Sequence, residues 1–443
     1  MNDTTTDRIA HLELDDAPVK IEPNKDIFTS AGGFQVKEGA TAHQDANGNW
    51  VNAIGLQSTA THRHVAKVWQ DQCVSVTDFL ATLNRQAEGK VDICKPESEV
   101  RLKDANTLID GMGLTESGLN SLRLFTDMPS SMIGFMKERG YEEELTRIVN
   151  DELDLRERNW ANKGKEARDF RIRVRKDEND NDIIRAIVSD KYGVIDNHEA
   201  FQMIMDGLPG SDGALASHLF NDGDDMYGNI LVPDSMKSEP DSDYGVGIAF
   251  RNSEIRNATF KVSPFLFRAI CLNGCIWGRS NSEINVNQKH LGNINRRELA
   301  EEVRHAIAVA LTQGNDLLTL MGHSKKVKVA NPLNVIAQLC REKEINLTAE
   351  QGRLWHKGYI DSLGEKNGQE HENTAFGIVN GLTRSAQNYS GAKREQMETI
   401  AGLILSPAID ADLQAIQKRW GRISDNASAL SEKTVQQYAY VAV

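Results

Sequence analysis

The sequence predicts an α+β fold: a central antiparallel β-rich core with a long helix, flanked by N-terminal and C-terminal helical regions. Two observations predict it. Apolar residues recur with period two in FRIRVRK (170–176), which marks a half-buried strand, and IIRAIVS, MYGNILVP and YGVGIAFRNS read as further strands. Before residue 165 and after residue 295 they recur at helical spacing instead. The expected organisation is a polar segment with a hairpin (1–60), a helical region (61–165), an α+β core (166–330) and a C-terminal helical region (331–443). The 443 residues are ample for a buried core.

The elements follow in order. Asn47-Gly48 is a turn signal between the short extended stretches of TAHQDANGNWVNA. Thr77 is placed to cap a helix carrying Phe79, Leu80 and Leu83, and Thr115 one carrying Leu119, Leu122 and Leu124. Met128-Pro129 breaks the chain before a helix beginning at Ser130 or Ser131. In FRIRVRK, Phe170, Ile172 and Val174 alternate with Arg171, Arg173 and Arg175, so the strand has an arginine-rich outer face. The turn DENDND returns the chain as IIRAIVS, and Asn197 then opens the helix HEAFQMIMDGL. ATFKVSPFLFRAICLNGCIWG reads as a strand broken at Pro264.

One long helix is expected from Asn295, with Glu298 completing a capping box and Leu299, Val303, Ile307, Ala310, Leu317 and Met321 forming the stripe. Asn331-Pro332, Thr348 with Gln351, and Pro407 open the later helices, with a polar loop at 364–373.

No apolar run approaches the ~18 residues that cross a bilayer, and the N-terminus lacks a basic, then apolar, leader. Five scattered cysteines, an odd number, suit a reducing compartment, so a cytoplasmic protein is expected.

The net charge of −13 argues at first against nucleic acid, but it is unevenly spread. Residues 177–245 hold 16 acidic and 3 basic side chains, equal to the whole excess. The stretch 156–176 holds 9 basic and 3 acidic residues, and 246–297 holds 8 and 2. A solvated face, or arginines paired with the acidic segment, would explain this as readily as a ligand.

Several stretches are similar to a known family. IVSDKYGVIDNHEAF (187–201) resembles a signature of the phage/plasmid-like family called domain of unknown function 932. So does 244–278, with its Asn252-Ser253-Glu254 and Cys271-Leu272-Asn273-Gly274 elements. LTESGLNSLRLFTDMPSSMIGFMKERG and NTAFGIVNGLTRSAQNYS resemble its helix–Pro–helix and C-terminal segments. The resemblance implies a mobile-element setting in a bacterial host cytoplasm, and it carries no established reaction.

The expected function is nucleic-acid binding, single-stranded DNA above all, as a homo-oligomer assisting annealing or recombination. Arginines on one strand face stand about 6.5–7 Å apart, near the phosphate spacing of an extended strand. The expected contacts are Arg171, Arg173, Arg175, Lys176, Arg251, Arg256, Lys261 and Asn252, with Arg268 a further cation and Phe170, Tyr192, Phe250 and Trp277 as stacking candidates. The alternative is an acidic protein-binding module around Asp222, Asp224, Asp225, Glu239, Asp241 and Asp243 that inhibits a host defence protein.

An enzyme is not expected. There is no dinucleotide fingerprint, phosphate loop or His-Glu-x-x-His, and neither Cys271/Cys275 nor His62/His64 has a second ligand pair, so no cofactor or metal is expected. Asp190, Asp196, Glu199 and Glu254 would be the carboxylates of a two-metal nuclease, but their spacing does not demand metal.

Overall fold

In the computed structural model of the chain, the described residues are 74–443 together with short paired stretches between 19 and 52. Left out of that range are 127, 130, 166–167, 178, 209–213, 233–234, 236, 239–242, 269–272, 277–284, 313, 330, 365–367, 406–412 and 440–443. Cys73, His62, His64, Asn47-Gly48, Glu239, Asp241, Cys271, Trp277 and Pro407 therefore lie outside the described residues. The N-terminal hairpin is present as a pairing of Thr41–Gln44 with Trp50–Asn52.

The first half begins with β1 (Val74–Ser75), α1 (Val76–Glu88), β2 (Lys90–Pro96), β3 (Leu102–Asp104), β4 (Thr107–Leu108) and β5 (Gly113–Leu114). Next come α2 (Glu116–Leu122), α3 (Met132–Glu138), α4 (Glu142–Asn162), β6 (Asp169–Lys176) and β7 (Asp182–Ser189). The second half has α5 (Asn197–Gly207), β8 (Leu215–Asn221), β9 (Asp225–Leu231), β10 (Lys237–Ser238), β11 (Asp243–Ser253), β12 (Phe260–Arg268), β13 (Asn273–Ile276) and β14 (Val286–Gln288). Eight helices close the chain's account from the long-helix region onward: α6 (Arg296–Thr312), α7 (Gly314–Lys326), α8 (Pro332–Arg341), α9 (Ala349–Leu363), α10 (Ala375–Ala386), α11 (Gly391–Leu405), α12 (Leu413–Ser428) and α13 (Glu432–Ala439).

Two sheets organise these elements. The first runs β2-β6-β7-β5-β4-β3, and α2, α3 and α4 cover one face with Leu119, Leu122, Ile133, Leu145, Val149 and Leu153 against Phe170, Ile172 and Val174. The second runs β13-β12-β11-β9-β8-β1, with β10 and β14 paired at its margins. One of its faces buries Phe79, Phe201, Phe250, Val303 and Ile307 beneath α1, α5 and α6. The other carries Tyr244, Val246 and Leu266 under the C-terminal helices. Covering both faces explains why β12 is buried at every residue, which period-two reading cannot anticipate.

The expected caps hold where they are local. Thr115 Oγ1 accepts from Gly118 N at 3.0 Å, Asn331 caps α8, and Thr348 with Gln351 forms a capping box. Asp196 rather than Asn197 caps α5, again with a capping box through Glu199. Thr77 lies inside α1, which starts one residue earlier.

Three expectations are corrected. Pro264 does not break β12: β14 pairs with 260–262 and β13 with 265–268, so the proline sits in the gap, where its missing N–H costs no ladder bond. Leu124 leaves the stripe of α2 because a 3-10 turn over Arg123–Phe125 rotates it into solvent. The described residues of the region 61–165 also contribute five strands, β1 to β5, most of them short.

Candidate nucleic-acid interface

The arginine comb of β6 is where structure and sequence part. Phe170, Ile172 and Val174 do face the helices, so Arg171, Arg173 and Arg175 share the other face. That face, though, is not an outer one: it abuts the end of the second sheet. Arg173 is 1% exposed. It donates to Asp92 Oδ1 at 3.0 Å, to the Glu254 carbonyl at 2.6 Å, and to Asp196. From β7, Arg185 is fully buried and pairs with Asp224 at 3.0 Å and with Glu254. Lys90 completes the seam, reaching Glu254 at 2.9 Å and the Gly223 carbonyl at 2.6 Å.

The electrostatics follow from burial and charge together. Burial pushes the Lys90 ammonium below its ordinary value, against the pull of Glu254. Burial alone would raise the Asp196 carboxyl, but the charge and hydrogen bond of Arg173 hold it below the usual range. These carboxylates are counter-ions of the seam. Asp196 and Glu254 are thereby drawn away from the metal-site geometry considered above, and no cluster suited to a metal ion occurs among the described residues.

The other expected contacts scatter. Arg171 donates to the Tyr192 carbonyl at 3.2 Å. Arg175 and Lys176 line a cleft at the far end of β6, where Lys176 pairs with Asp182 at 3.0 Å. Arg251 and Lys261 stand side by side on β11 and β12, both turned to Glu395 of α11, at 3.0 and 3.7 Å. Asn252 is buried and donates to the Ile195 carbonyl and to Asn197 Oδ1, each at 2.9 Å. Arg256 is exposed at a left-handed turn with φ 75°. Arg268, the further cation, is buried and donates to Asn380 Oδ1 at 2.9 Å. Of the stacking candidates, Phe170, Tyr192 and Phe250 are all core residues, Tyr192 lying flat against His290. The acidic group divides likewise: Asp224 is in the seam, and Asp222 Oδ1 accepts from the backbone of Asp224 and Asp225.

A different part of the same basic stretch gathers at the surface. Helix α4 buries Leu145, Val149 and Leu153, one per turn, and Arg156 continues that row to its end. Its guanidinium holds Glu97 at 2.6 Å and lies 5.3 Å from the Phe125 ring and 5.8 Å from Trp160. The helix then stops in a Schellman motif. Gly164 takes φ 65°, Gly164 N donates to the Ala161 carbonyl at 2.9 Å, and Lys165 N donates to the Trp160 carbonyl at 3.1 Å.

That reversal folds the following cations back over the last turn. Lys165 Nζ sits 5.0 Å and the Arg168 guanidinium 4.5 Å from the indole centre. The result is a pocket of about 250 Å³ lined by Phe125, Glu152, Leu155, Arg156, Asn159, Trp160, Lys163 and Lys165. Trp160 is half-buried, while Lys163 and Lys165 are exposed. Reading the sequence singled out the strand arginines and passed over Trp160. The usable signal was a tryptophan with lysines on both sides of a helix-ending glycine.

The fold is thus a two-sheet α+β protein with its basic residues divided between a buried seam and a surface aromatic pocket. Residues 185–403 match the family described as Domain of unknown function (DUF932), and this part of the chain belongs to that family. It takes in strands β8 to β14 of the second sheet, helices α5 to α10, most of α11 and most of strand β7 of the first sheet. No curated protein and no solved structure matches the chain. No helix among the described residues is long and apolar enough to cross a membrane.

Proposed function

We propose that this chain binds single-stranded nucleic acid at the Trp160 pocket. The geometry around Trp160 carries the proposal: three cations lie within 6 Å of one indole ring, beside a second ring at Phe125. Single strands are held without sequence preference by that combination, cations on phosphates and aromatic faces on bases. Lys165 and Arg168 rest on the ring through a soft attraction of about 0.5–1 kcal/mol at an exposed site. A phosphate draws them off that face more strongly, leaving the indole to a base. The chain's overall negative charge does not oppose this, because its excess lies in 177–245, outside the residues that line the Trp160 pocket.

Fluorescence anisotropy with a labelled twenty-residue oligothymidylate, against a duplex of equal length, tests the proposal. Trp160→Ala is expected to weaken single-strand binding about 5- to 100-fold, the range that one lost stack of about 1–3 kcal/mol implies. The triple change Lys163→Ala, Lys165→Ala and Arg168→Ala is expected to flatten the slope of log affinity against log salt by about 2. Affinity and slope both unchanged in these variants would remove the site.

A further inference from the structure

We infer that the cleft at the far end of β6 is an oxyanion site that takes a phosphate group, independent of the Trp160 pocket. This cleft, about 440 Å³, opens where the end of α1, the start of β2, the end of β6 and the β8–β9 turn meet. Its walls carry Arg85, Lys90, Arg175 and Lys176 against Asp177 and Asp222.

Most of these charges are already used. Lys90 holds Glu254, and Lys176 holds Asp182. Asp177 Oδ1 accepts from Asn179 N and Asn181 N, both at 2.8 Å, and Asp222 Oδ1 accepts from the backbone of its own turn. Arg175 is the exception. Its nearest carboxylate oxygen, Asp224 Oδ2, is 4.0 Å away, and Arg185 already engages Asp224 at 3.0 Å. The Arg175 guanidinium makes no hydrogen bond to a described residue, and the side chain is 35% exposed. A planar fork with unmade donors beside a polar cavity is the group that recognises a phosphate bidentately.

The floor of the cleft is built to leave that fork in place. Gly223 has φ 93°, and a Cβ there would come within 2.9 Å of Arg175 Nη1. The glycine therefore serves both the turn and the close approach of the guanidinium. Its carbonyl is pinned by Lys90 at 2.6 Å, so the floor is fixed from the buried side. Arg85 faces the same space from the last turn of α1. The volume admits more than a bare ion, so the phosphate is either free in solution or part of a nucleotide chain.

Calorimetry separates these sources, using inorganic phosphate as one probe and the oligothymidylate as the other, with chloride as the ionic-strength control. Wild-type protein is expected to bind phosphate, Arg175→Ala to weaken it at least 10-fold, and Arg175→Lys to recover only part, since a lysine keeps charge but loses the fork. Gly223→Ala is expected to weaken binding as well, by displacing the guanidinium. Loss of phosphate binding alone in Arg175→Ala assigns a free phosphate; loss of both assigns a chain phosphate. Absence of phosphate binding in the wild type, or equal binding in Arg175→Ala, overturns the inference. Trp160→Ala is expected to leave phosphate binding unchanged, so failure at one site does not speak for the other. Because the Arg175 guanidinium makes no hydrogen bond to a described residue, its alanine variant is expected to melt with the wild type, which the same samples check.

Discussion

The two ends of one basic stretch make an instructive pair. Residues 156–168 and 169–176 are comparably rich in arginine and lysine, yet the first end gathers on the surface around Trp160 while the second turns largely inward. The difference is the partner each meets. The helix end is followed by a Schellman reversal that returns its cations to their own surface. The strand face is met by the turns of another sheet, which supply Asp224 and Glu254, and by the cap of α5, which supplies Asp196. A cation's chemistry is the same in both places; what distinguishes a binding surface from a seam is whether a carboxylate arrives first.

The sharpest way to break this comparison is to remove one side of the seam. Arg185→Met leaves Glu254, which is 1% exposed, with Lys90 as its remaining ion-pair partner among the described residues. Losing one member of a buried ion pair costs about 3–5 kcal/mol, whereas a solvent-facing cation costs a few tenths. Urea denaturation is expected to show that loss for Arg185→Met and a change below about 1 kcal/mol for Arg175→Ala. Equal costs would mean that the two arginines share one environment, against the burial described.

Much of the fold was legible because it is decided locally. The β6–β7 hairpin, the caps at Thr115, Asn331 and Thr348, and the stripe of Leu299, Val303 and Ile307 each depend on residues within a turn or two of one another. Alternation in FRIRVRK also correctly divided apolar from basic faces. What alternation cannot say is what lies opposite. Arg173 meets Asp92 and Glu254, each 81 residues away, and only topology brings them there. Pro264 misled for a related reason, since a gap between two neighbouring strands is a property of the sheet and not of the chain around the proline. The Trp160 pocket, by contrast, is built almost wholly by neighbours in sequence, but a lone tryptophan among cations is a weaker pattern than the strict alternation of the strand.

A middle-sized effect concerns the β8–β9 turn beside the seam. Burial raises the Asp225 carboxyl to about 6, while hydrogen bonds from Ser253 and Asn257 pull the other way. A carboxyl raised in the folded state favours its neutral form there, so the penalty is absent well below the unfolded value of ~3.9 and complete above about 6. Asp225→Asn is expected to stabilise the protein at pH 7.5 by about 1–2 kcal/mol, after allowing for partial exposure, and to give little at pH 4. Burial has lowered His290 to about 4, so its contribution is present above its ordinary value of 6.5 and lost as pH falls toward 4. The two therefore oppose each other between pH 6 and 4 in the wild type. Removing Asp225 should leave His290 to act alone and steepen the acid limb of a denaturation series; an unchanged limb would show that the turn is more solvated than its burial implies.

The smallest expected effect is the most discriminating for the surface end of the basic stretch. Lys163 and Lys165 are exposed, and among the described residues Lys165 and Arg168 touch Trp160 without an ion pair holding either of them. Their alanine variants are expected to change unfolding free energy by no more than about 0.5 kcal/mol each, as surface positions do. Gly164→Ala differs: at φ 65° a Cβ strains the reversal, at a cost of about 1 kcal/mol, although nothing lies within 4 Å to clash with it. If the cation variants instead unfold the helix end as readily as Gly164→Ala, the stacked side chains are props for the Schellman turn, and their place around the indole reflects packing. If stability holds while the salt slope falls, the turn builds the site and the cations use it.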